Sequence, residues 1–270
     1  MSWFAAVILG LVQGLTEYLP VSSTAHVLIV GKLAGWGDPS AAFTAVTQIG
    51  TLAAVLIYFR GELKHLLSGL LRTMRDRSLD DPEGRLAWLI GIGSLPILGI
   101  GFAVKDVVEG SARNLVLVAV ALILGAGALA LADRRGTGHL SVHDFTLTSA
   151  LVLGCGQALA LIPGVSRSGA TIAVGLFLGF NRVAATRYSF LLAIPAVTAS
   201  GLYELKALAD GHVDWAPTLL ATLVAFAVGY AVIHWLLKFV ATHSFAWFVR
   251  YRLALGILLL ILVATGAVSS

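Results

Sequence analysis

The sequence has 270 residues, of which 58% are hydrophobic and 12% are charged. Soluble domains carry about 25% charged residues, so this composition excludes an ordinary soluble domain and favours a membrane protein. The formal charge of +4 would suggest nucleic-acid binding in a soluble chain. Here the basic residues cluster in short loops between apolar runs, so we interpret them as topology signals and expect no nucleic-acid partner.

The first apolar segment, 3–34, carries Pro20 and a cluster of small hydroxyl residues at its centre. Proline breaks a helix, and irregular backbone at membrane depth is tolerated only where protein or water surrounds it. We therefore predict a re-entrant helical hairpin that dips into the membrane and returns. The segment 146–181, with Pro163 at its centre, is predicted to form a second hairpin of the same kind.

Six further apolar stretches approach the roughly 20 residues that a helix needs to cross the hydrocarbon layer. The predicted spans are 42–59, 86–104, 114–132, 186–204, 216–235 and 253–268. Thirteen Lys or Arg residues lie in the segments 60–85, 133–145, 182–187 and 236–252, against three in 105–113 and 205–215. The positive-inside rule therefore places the first set of loops in the cytoplasm, and the second set and both termini outside.

A hairpin followed by three spans occurs twice, and the alternation of spans makes the two hairpins enter from opposite faces. The predicted fold is an all-α polytopic membrane protein with six spanning helices and two re-entrant hairpins. Residues 1–270 form one membrane domain, whose halves, roughly 1–132 and 146–270, are predicted to be an inverted-topology repeat. The two hairpins share similarly spaced residues: Gly10, Gln13, Pro20 and Ser22 in the first, and Gly154, Gln157, Pro163 and Ser166 in the second.

Ionisable side chains within the hairpins point to a buried polar site, because such groups are costly at membrane depth. Each hairpin break exposes the N-terminus of a short helix, whose free N–H groups and dipole attract an anion. Arg167 suits a phosphate because its planar fork can bind two oxygens. Gln13 and Glu17 lie four residues apart, on one helical face. A carboxylate beside an anion site needs a divalent cation or a proton with it.

Several of these side chains also have a purely structural interpretation. His26 could only bond a neighbouring group, and Ser22, Ser23 and Thr24 could be plain helix N-caps. Gln157 is better explained as an interhelical hydrogen-bond partner than as a ligand.

Two segments resemble the signatures of a known family. Residues 13–26, QGLTEYLPVSSTAH, resemble the first signature of bacterial undecaprenyl-diphosphate phosphatases, the bacitracin-resistance family, and residues 163–171, PGVSRSGAT, resemble the second. The resemblance covers essentially the whole chain. It implies hydrolysis of undecaprenyl diphosphate to the monophosphate, which recycles the carrier lipid for cell-wall synthesis. It also implies a multi-pass protein of the bacterial cytoplasmic membrane, with a site open to the extracytoplasmic side.

The resemblance also assigns roles to residues of the two signatures. It implies a divalent cation, Mg²⁺ or Ca²⁺, held by the essential acid Glu17. Many members carry glutamate where this chain has Gln13, whose amide oxygen is an uncharged second ligand. The residues expected to bind substrate are Ser22, Thr24, Ser166, Ser168 and Thr171.

For the reaction we expect Arg167 to neutralise charge on the transferred phosphoryl group, and Ser23 to attack with His26 as general base. Attack by His26 itself, or by water that it activates, is left open by the sequence. The main rival is a polyprenyl-phosphate transporter or flippase, because inverted repeats with broken helices are transporter architecture. A scaffold without chemistry leaves the buried charges unexplained. The expected partners are the polyprenyl diphosphate and membrane lipids, and a homodimer is left open.

Overall fold

The computed structural model describes residues 1–37, 39, 41–111, 114–136, 138–208 and 214–268. The regular structure within these ranges is helical, with two short 3₁₀ turns at Val142–Asp144 and Leu159–Leu161. The α-helices are α1 (Trp3–Thr16), α2 (Ser23–Leu33), α3 (Ala41–Tyr58), α4 (Arg60–Asp76), α5 (Pro82–Ser111), α6 (Leu115–Arg135), α7 (Leu147–Ala158), α8 (Arg167–Phe177), α9 (Arg182–Leu208), α10 (Trp215–Thr242) and α11 (Ala246–Ala264). Of the predicted outer loops, Arg113 and residues 209–213 lie outside the described residues.

Five described helices are long and apolar enough to cross a membrane: α5, α6, α9, α10 and α11. The remaining predicted span, 42–59, corresponds to α3, which meets α4 at a bend of 77°. Helices can cross hydrocarbon because each satisfies its backbone hydrogen bonds internally. The predicted class, an all-α multi-pass membrane protein, is confirmed.

Four of the segments predicted as loops, 60–85, 105–113, 182–187 and 236–252, are largely helical, since α5 continues to Ser111 and α9 begins at Arg182. The segment 60–85 contains helix α4, because its leucines recur with helical spacing among the charges. Helix α11 begins at Ala246 instead of 253, so Arg250 and Arg252 are helical residues and not loop cations. Lys238 likewise lies inside α10. Arginine and lysine are good helix formers, so a charge near an apolar run does not mark the end of a helix.

Both predicted hairpins are broken where the prolines stand. Helices α1 and α2 have 14 and 11 residues, and α7 and α8 have 12 and 11. At 1.5 Å per residue these arms measure about 17–21 Å, short of a hydrocarbon layer of about 30 Å. The two arms of each pair pack against each other. Each pair therefore folds back on itself, as a hairpin must.

Contacts at the starts of α1 and α7 show where the hairpins enter the bundle. The N-terminal amine of Met1 lies 3.3 Å from the carboxylate of Asp214, just before α10, and α1 packs along α10. Arg85, near the start of α5, donates to the carbonyl of His143, just before α7, at 3.2 Å. Helix α10 runs parallel to α3, since Thr222 donates to the carbonyl of Val46 and His234 lies 3.4 Å from Tyr58. Helix α5 starts beyond α4, at the end of the bundle where α3 finishes, so the two hairpins start at opposite ends. The inverted-repeat relation between the two halves stays a prediction.

The orientation of the bundle can be tested by cysteine labelling from outside intact cells. In a Cys155→Ser background, a cysteine replacing the exposed Leu79 between α4 and α5 should not react with a membrane-impermeant maleimide, because this end carries most of the basic residues. A cysteine replacing the exposed Ala267 beyond α11 is the matched control and should react. Labelling at 79 together with protection at 267 would reverse the predicted orientation.

Candidate active site

The two hairpin turns have the same unusual backbone conformation. Ser22 and Ser166, the residues before α2 and α8, have φ angles of 76° and 72°. A side chain in this left-handed region is strained, and such strain persists only where the surroundings hold it in place. The Ser166 hydroxyl accepts a hydrogen bond from the amide of Gly169 at 3.1 Å. Each turn thus presents the start of a short helix to the interior of the protein.

Arg252 of α11 is fully buried between the two turns. Its guanidinium donates to five carbonyl oxygens: Pro20 at 3.1 Å, Ala121 at 3.4 Å, Leu122 at 3.3 Å, Gly164 at 3.3 Å and Val165 at 2.9 Å. Gly125 and Gly169 leave room for it, since a Cβ there would stand 2.2 Å from Nη2 and 2.7 Å from Nη1, respectively. Pro20 belongs to the first turn, and Gly164 and Val165 belong to the second. One side chain therefore joins both turns to α6.

Glu17 is the centre of a polar cluster that draws on both hairpins. Its Oε1 accepts a short hydrogen bond from Nη2 of Arg167, the first residue of α8. Its Oε2 accepts from Nε2 of Gln13 at 2.8 Å and from the hydroxyl of Ser23 at 2.6 Å. The Glu17 side chain is 4% exposed and that of Arg167 is 20% exposed. A buried carboxylate is thus matched by an arginine that still reaches open space.

The open space beside this cluster is a cavity of about 490 Å³. Its polar wall contains Glu17, Ser22, Ser23, Thr24, Ser166 and Arg167, and its apolar wall contains Ile97, Leu98, Phe102, Ala160, Leu161 and Ala196. Gln48 and Phe102 place it toward the end of the bundle where α3 begins and α5 ends. A cavity with one charged wall and one apolar wall suits an amphipathic ligand with an anionic head.

His26 does not line the cavity. Its Nδ1 lies 2.7 Å from the carbonyl of Ser22, and its Nε2 lies 2.6 Å from the hydroxyl of Tyr251. A carbonyl only accepts, so Nδ1 carries the proton and Nε2 accepts from Tyr251. The hydrogen bond of Ser23 goes to Glu17, so the expected pairing of Ser23 with His26 is not present in this arrangement.

The remaining predicted substrate-binding residues divide into two groups. Thr24 is exposed and, like Ser22 and Ser166, faces the cavity. Ser168 donates to the carbonyl of Leu19 at 2.9 Å, which ties the second hairpin to the first. Thr171 is fully buried and donates to the carbonyl of Arg167 at 2.9 Å. Those last two hydroxyls hold the turns and do not line the cavity.

The donor set can be compared with what a divalent cation requires. Among the described residues no three His, Cys, Asp or Glu side chains form a cluster. Oε1 of Gln13 is buried and has no hydrogen-bond partner within the described part of the chain, so beside Glu17 it is a spare oxygen ligand. Mg²⁺ is commonly held by one or two carboxylates together with substrate phosphates. Glu17 lines the cavity and fits a cation that a phosphate ligand completes, whereas Gln13 is fully buried and is not part of the cavity wall.

Sequence reasoning missed Arg252 and Tyr251. The predicted spans place both residues in a cytoplasmic loop, where Arg252 would be a topology signal. A signal was present, because the stretch 245–252 contains neither proline nor glycine and joins the predicted span directly. A continuous helix there carries Arg252 into the membrane domain.

Comparison with known proteins shows the family of the chain. The model of the family described as bacitracin resistance protein BacA matches residues 6–258. The chain belongs to this family. It is 51% identical to undecaprenyl-diphosphatase 2 of Streptomyces coelicolor, over 100% of this chain and 97% of that protein. It is 49% identical to an undecaprenyl-diphosphatase of Nocardioides over the full length of both, and 50% identical to undecaprenyl-diphosphatase 2 of Agrobacterium fabrum over 100% and 99%. The family resemblance of the two signatures is confirmed.

Proposed function

We propose that this protein hydrolyses undecaprenyl diphosphate to undecaprenyl phosphate and inorganic phosphate. One observation carries the proposal: Glu17, Ser23 and Arg167 converge from two broken helices on the polar wall of a cavity whose other wall is apolar. The names of the relatives support the same substrate, since those proteins are undecaprenyl-diphosphatases. Recycling of this carrier lipid for cell-wall synthesis follows from the reaction.

The diphosphate would be held at the starts of α2 and α8. The free N–H groups there and the positive ends of the helix dipoles favour a multiply charged anion. Arg167 is already held by Glu17, so little conformational entropy is lost when it meets the phosphate oxygens. It then stabilises charge on the transferred phosphoryl group. The apolar wall would accommodate the first isoprene units of the lipid.

Ser23 is positioned to act as the nucleophile. Its hydroxyl donates to Oε2 of Glu17 at 2.6 Å, so attack on the terminal phosphorus would pass the proton to Glu17. The bond from that phosphorus to the bridging oxygen breaks, and undecaprenyl phosphate leaves. Water then hydrolyses the phosphoserine and releases inorganic phosphate. His26, bonded to Ser22 and Tyr251, would instead hold the start of α2.

Glu17 and Gln13 would hold a divalent cation, Mg²⁺ or Ca²⁺, once substrate is bound. Such an ion neutralises phosphate charge and orients the oxygens. Glu17, which pairs with Arg167 through Oε1 in this structure, would share that oxygen with the cation and keep Oε2 on the Ser23 hydroxyl. The neutral amide of Gln13 makes this ligand set less charged than a pair of glutamates, which favours weaker cation binding.

The proposed location is the bacterial cytoplasmic membrane, with the cavity accessible from the extracytoplasmic side. The supporting observation is that Gln48 near the start of α3 and Phe102 in the second half of α5 line the cavity. The positive-inside rule places that end of both helices outside.

The decisive experiment measures phosphate release by the purified protein from a polyprenyl diphosphate in detergent. We expect multiple turnovers, loss of activity in EDTA, and recovery when Mg²⁺ or Ca²⁺ is restored in excess. The corresponding monophosphate is the control substrate and should release no phosphate. A transporter or flippase without hydrolytic activity would release none from either lipid, and that result would overturn the proposal.

The nucleophile can be identified by trapping. Rapid acid quenching during turnover should leave phosphoserine at position 23, detectable by mass spectrometry of the peptide. Ser23→Ala should abolish both the modification and phosphate release, whereas Thr24→Ala, which removes a cavity hydroxyl without a contact to Glu17, should still form phosphoserine at position 23. Activity in Ser23→Ala would exclude Ser23 as the nucleophile. An alkaline quench would then separate the two alternatives, since attack by His26 leaves an acid-labile phosphohistidine and attack by water leaves no phosphoenzyme.

A further inference from the structure

Helix α4 is a fixed part of the fold that lies across one end of the bundle. It meets the spanning helix α3 at 77°, so it runs close to the plane of the membrane surface. One of its faces packs on α5, where the indole N–H of Trp88 donates to the hydroxyl of Thr73 at 3.1 Å. Arg72 pairs with Asp81 at 2.6 Å and secures the far end.

The opposite face of α4 is apolar and exposed. Leu67, Leu71 and Met74 are 60%, 59% and 58% exposed. Their spacing of four and three residues places them in one stripe along the helix. A stripe of this kind in water would be unfavourable, so a partner has to cover it.

The charges of α4 indicate the chemistry of that partner. Its two acidic residues are paired within the protein, Glu62 with Arg187 at 2.5 Å and Asp76 with Arg75 at 2.8 Å. Within the described ranges no ion pair involves Arg60, Lys64 or Arg77. Arg60 and Lys64 precede Leu67 and Leu71 by seven residues, two helical turns, so they continue the same stripe.

We propose that α4 is an interfacial helix that binds anionic phospholipids of the leaflet beneath it. The stripe Leu67, Leu71 and Met74 enters the boundary between headgroups and acyl chains, and Arg60, Lys64 and Arg77 contact lipid phosphates. A lipid surface is favoured over a protein partner because the bend holds the stripe in the plane where the bilayer surface must lie. This binding is independent of the proposed catalytic function.

Depth and lipid selectivity test the proposal separately. For depth, a nitroxide is attached at Leu71→Cys in a Cys155→Ser background, with the protein in bilayers. We expect the label to be more accessible to oxygen than to a water-soluble nickel complex, and a label at Ser68→Cys, off the stripe, to show the reverse. Exposure of the label at position 71 to the nickel complex would overturn the proposal. Protection of that label only at high protein density would also overturn it, because it would indicate contact between copies of the protein.

For selectivity, native mass spectrometry compares retention of phosphatidylglycerol with that of phosphatidylcholine. Arg60→Gln/Lys64→Gln/Arg77→Gln should lose roughly 10-fold to 100-fold of the preference at low ionic strength, since each cation near the surface contributes a factor of about five. The matched control, Arg134→Gln/Arg135→Gln/Lys238→Gln, removes three exposed cations from the same end of the bundle and should keep most of it. Equal losses in both variants, or no loss in the first, would show that α4 is not the lipid site.

Discussion

Arg167→Lys should fold normally and release phosphate roughly 10²–10³-fold more slowly, the usual effect of losing one transition-state contact. Lysine keeps the charge and can still pair with Glu17, but it lacks the planar fork that binds two phosphate oxygens. The loss should appear mainly in kcat, measured as phosphate release under saturating lipid and cation. Arg182→Lys is the matched control, because Arg182 also pairs with a carboxylate, Asp133 at 2.6 Å, but lies away from the cavity.

Removing the charge at position 167 altogether should separate the catalytic function of the ion pair from its contribution to stability. Arg167→Ala should be less active than Arg167→Lys and also less stable, because it leaves the buried Glu17 carboxylate without its cation. Adding Glu17→Gln to Arg167→Ala should restore stability but not phosphate release. An Arg167→Ala protein that is unstable yet active would assign Arg167 a structural role only.

Arg252→Lys should lower both thermal stability and activity, although Arg252 does not face the cavity. A lysine ammonium has three donors, so at least two of the five hydrogen bonds made by Arg252 are lost. Hydrogen bonds to charged groups contribute about 1.5–3 kcal/mol each, so we expect a loss of about 3 kcal/mol or more. The stability is measured by thermal unfolding in detergent, with size-exclusion chromatography used to monitor the folded fraction.

A positioning role for Arg252 predicts more than instability. At temperatures where Arg252→Lys is still folded, its kcat should be lowered, because the turns that carry Ser23 and Arg167 are no longer held together. Arg250→Lys is the control on the same helix, where Arg250 is exposed and stacks on Trp247 at 5.7 Å. Unchanged kcat in folded Arg252→Lys would limit this residue to stability.

Local patterns predicted the features that depend on neighbouring residues. Pro20 and Pro163 stand beside clusters of small hydroxyl residues, and there both hairpins break, whereas Pro96 and Pro195 stand in apolar runs and lie inside α5 and α9. The spacing of Gln13 and Glu17 places them on one helical face, and the structure has a hydrogen bond between them. The ends of α4 and α11 were less predictable. Charged residues there continue a helix, and only the packing of that helix determines whether they are buried or exposed.

The class of the protein follows from its composition, because a chain with 12% charged residues and repeated apolar runs of spanning length cannot cover the surface of a soluble domain. The sequence also determines which polar residues are concentrated in the hairpins. The pairing of these residues depends on how the two hairpins pack in the folded protein. Glu17 and Arg167 are 150 residues apart in the chain, and helical periodicity carries no information on contacts at that distance. The same holds for Arg252, whose carbonyl partners come from three separate segments that meet only when α6 and α11 pack around the two turns.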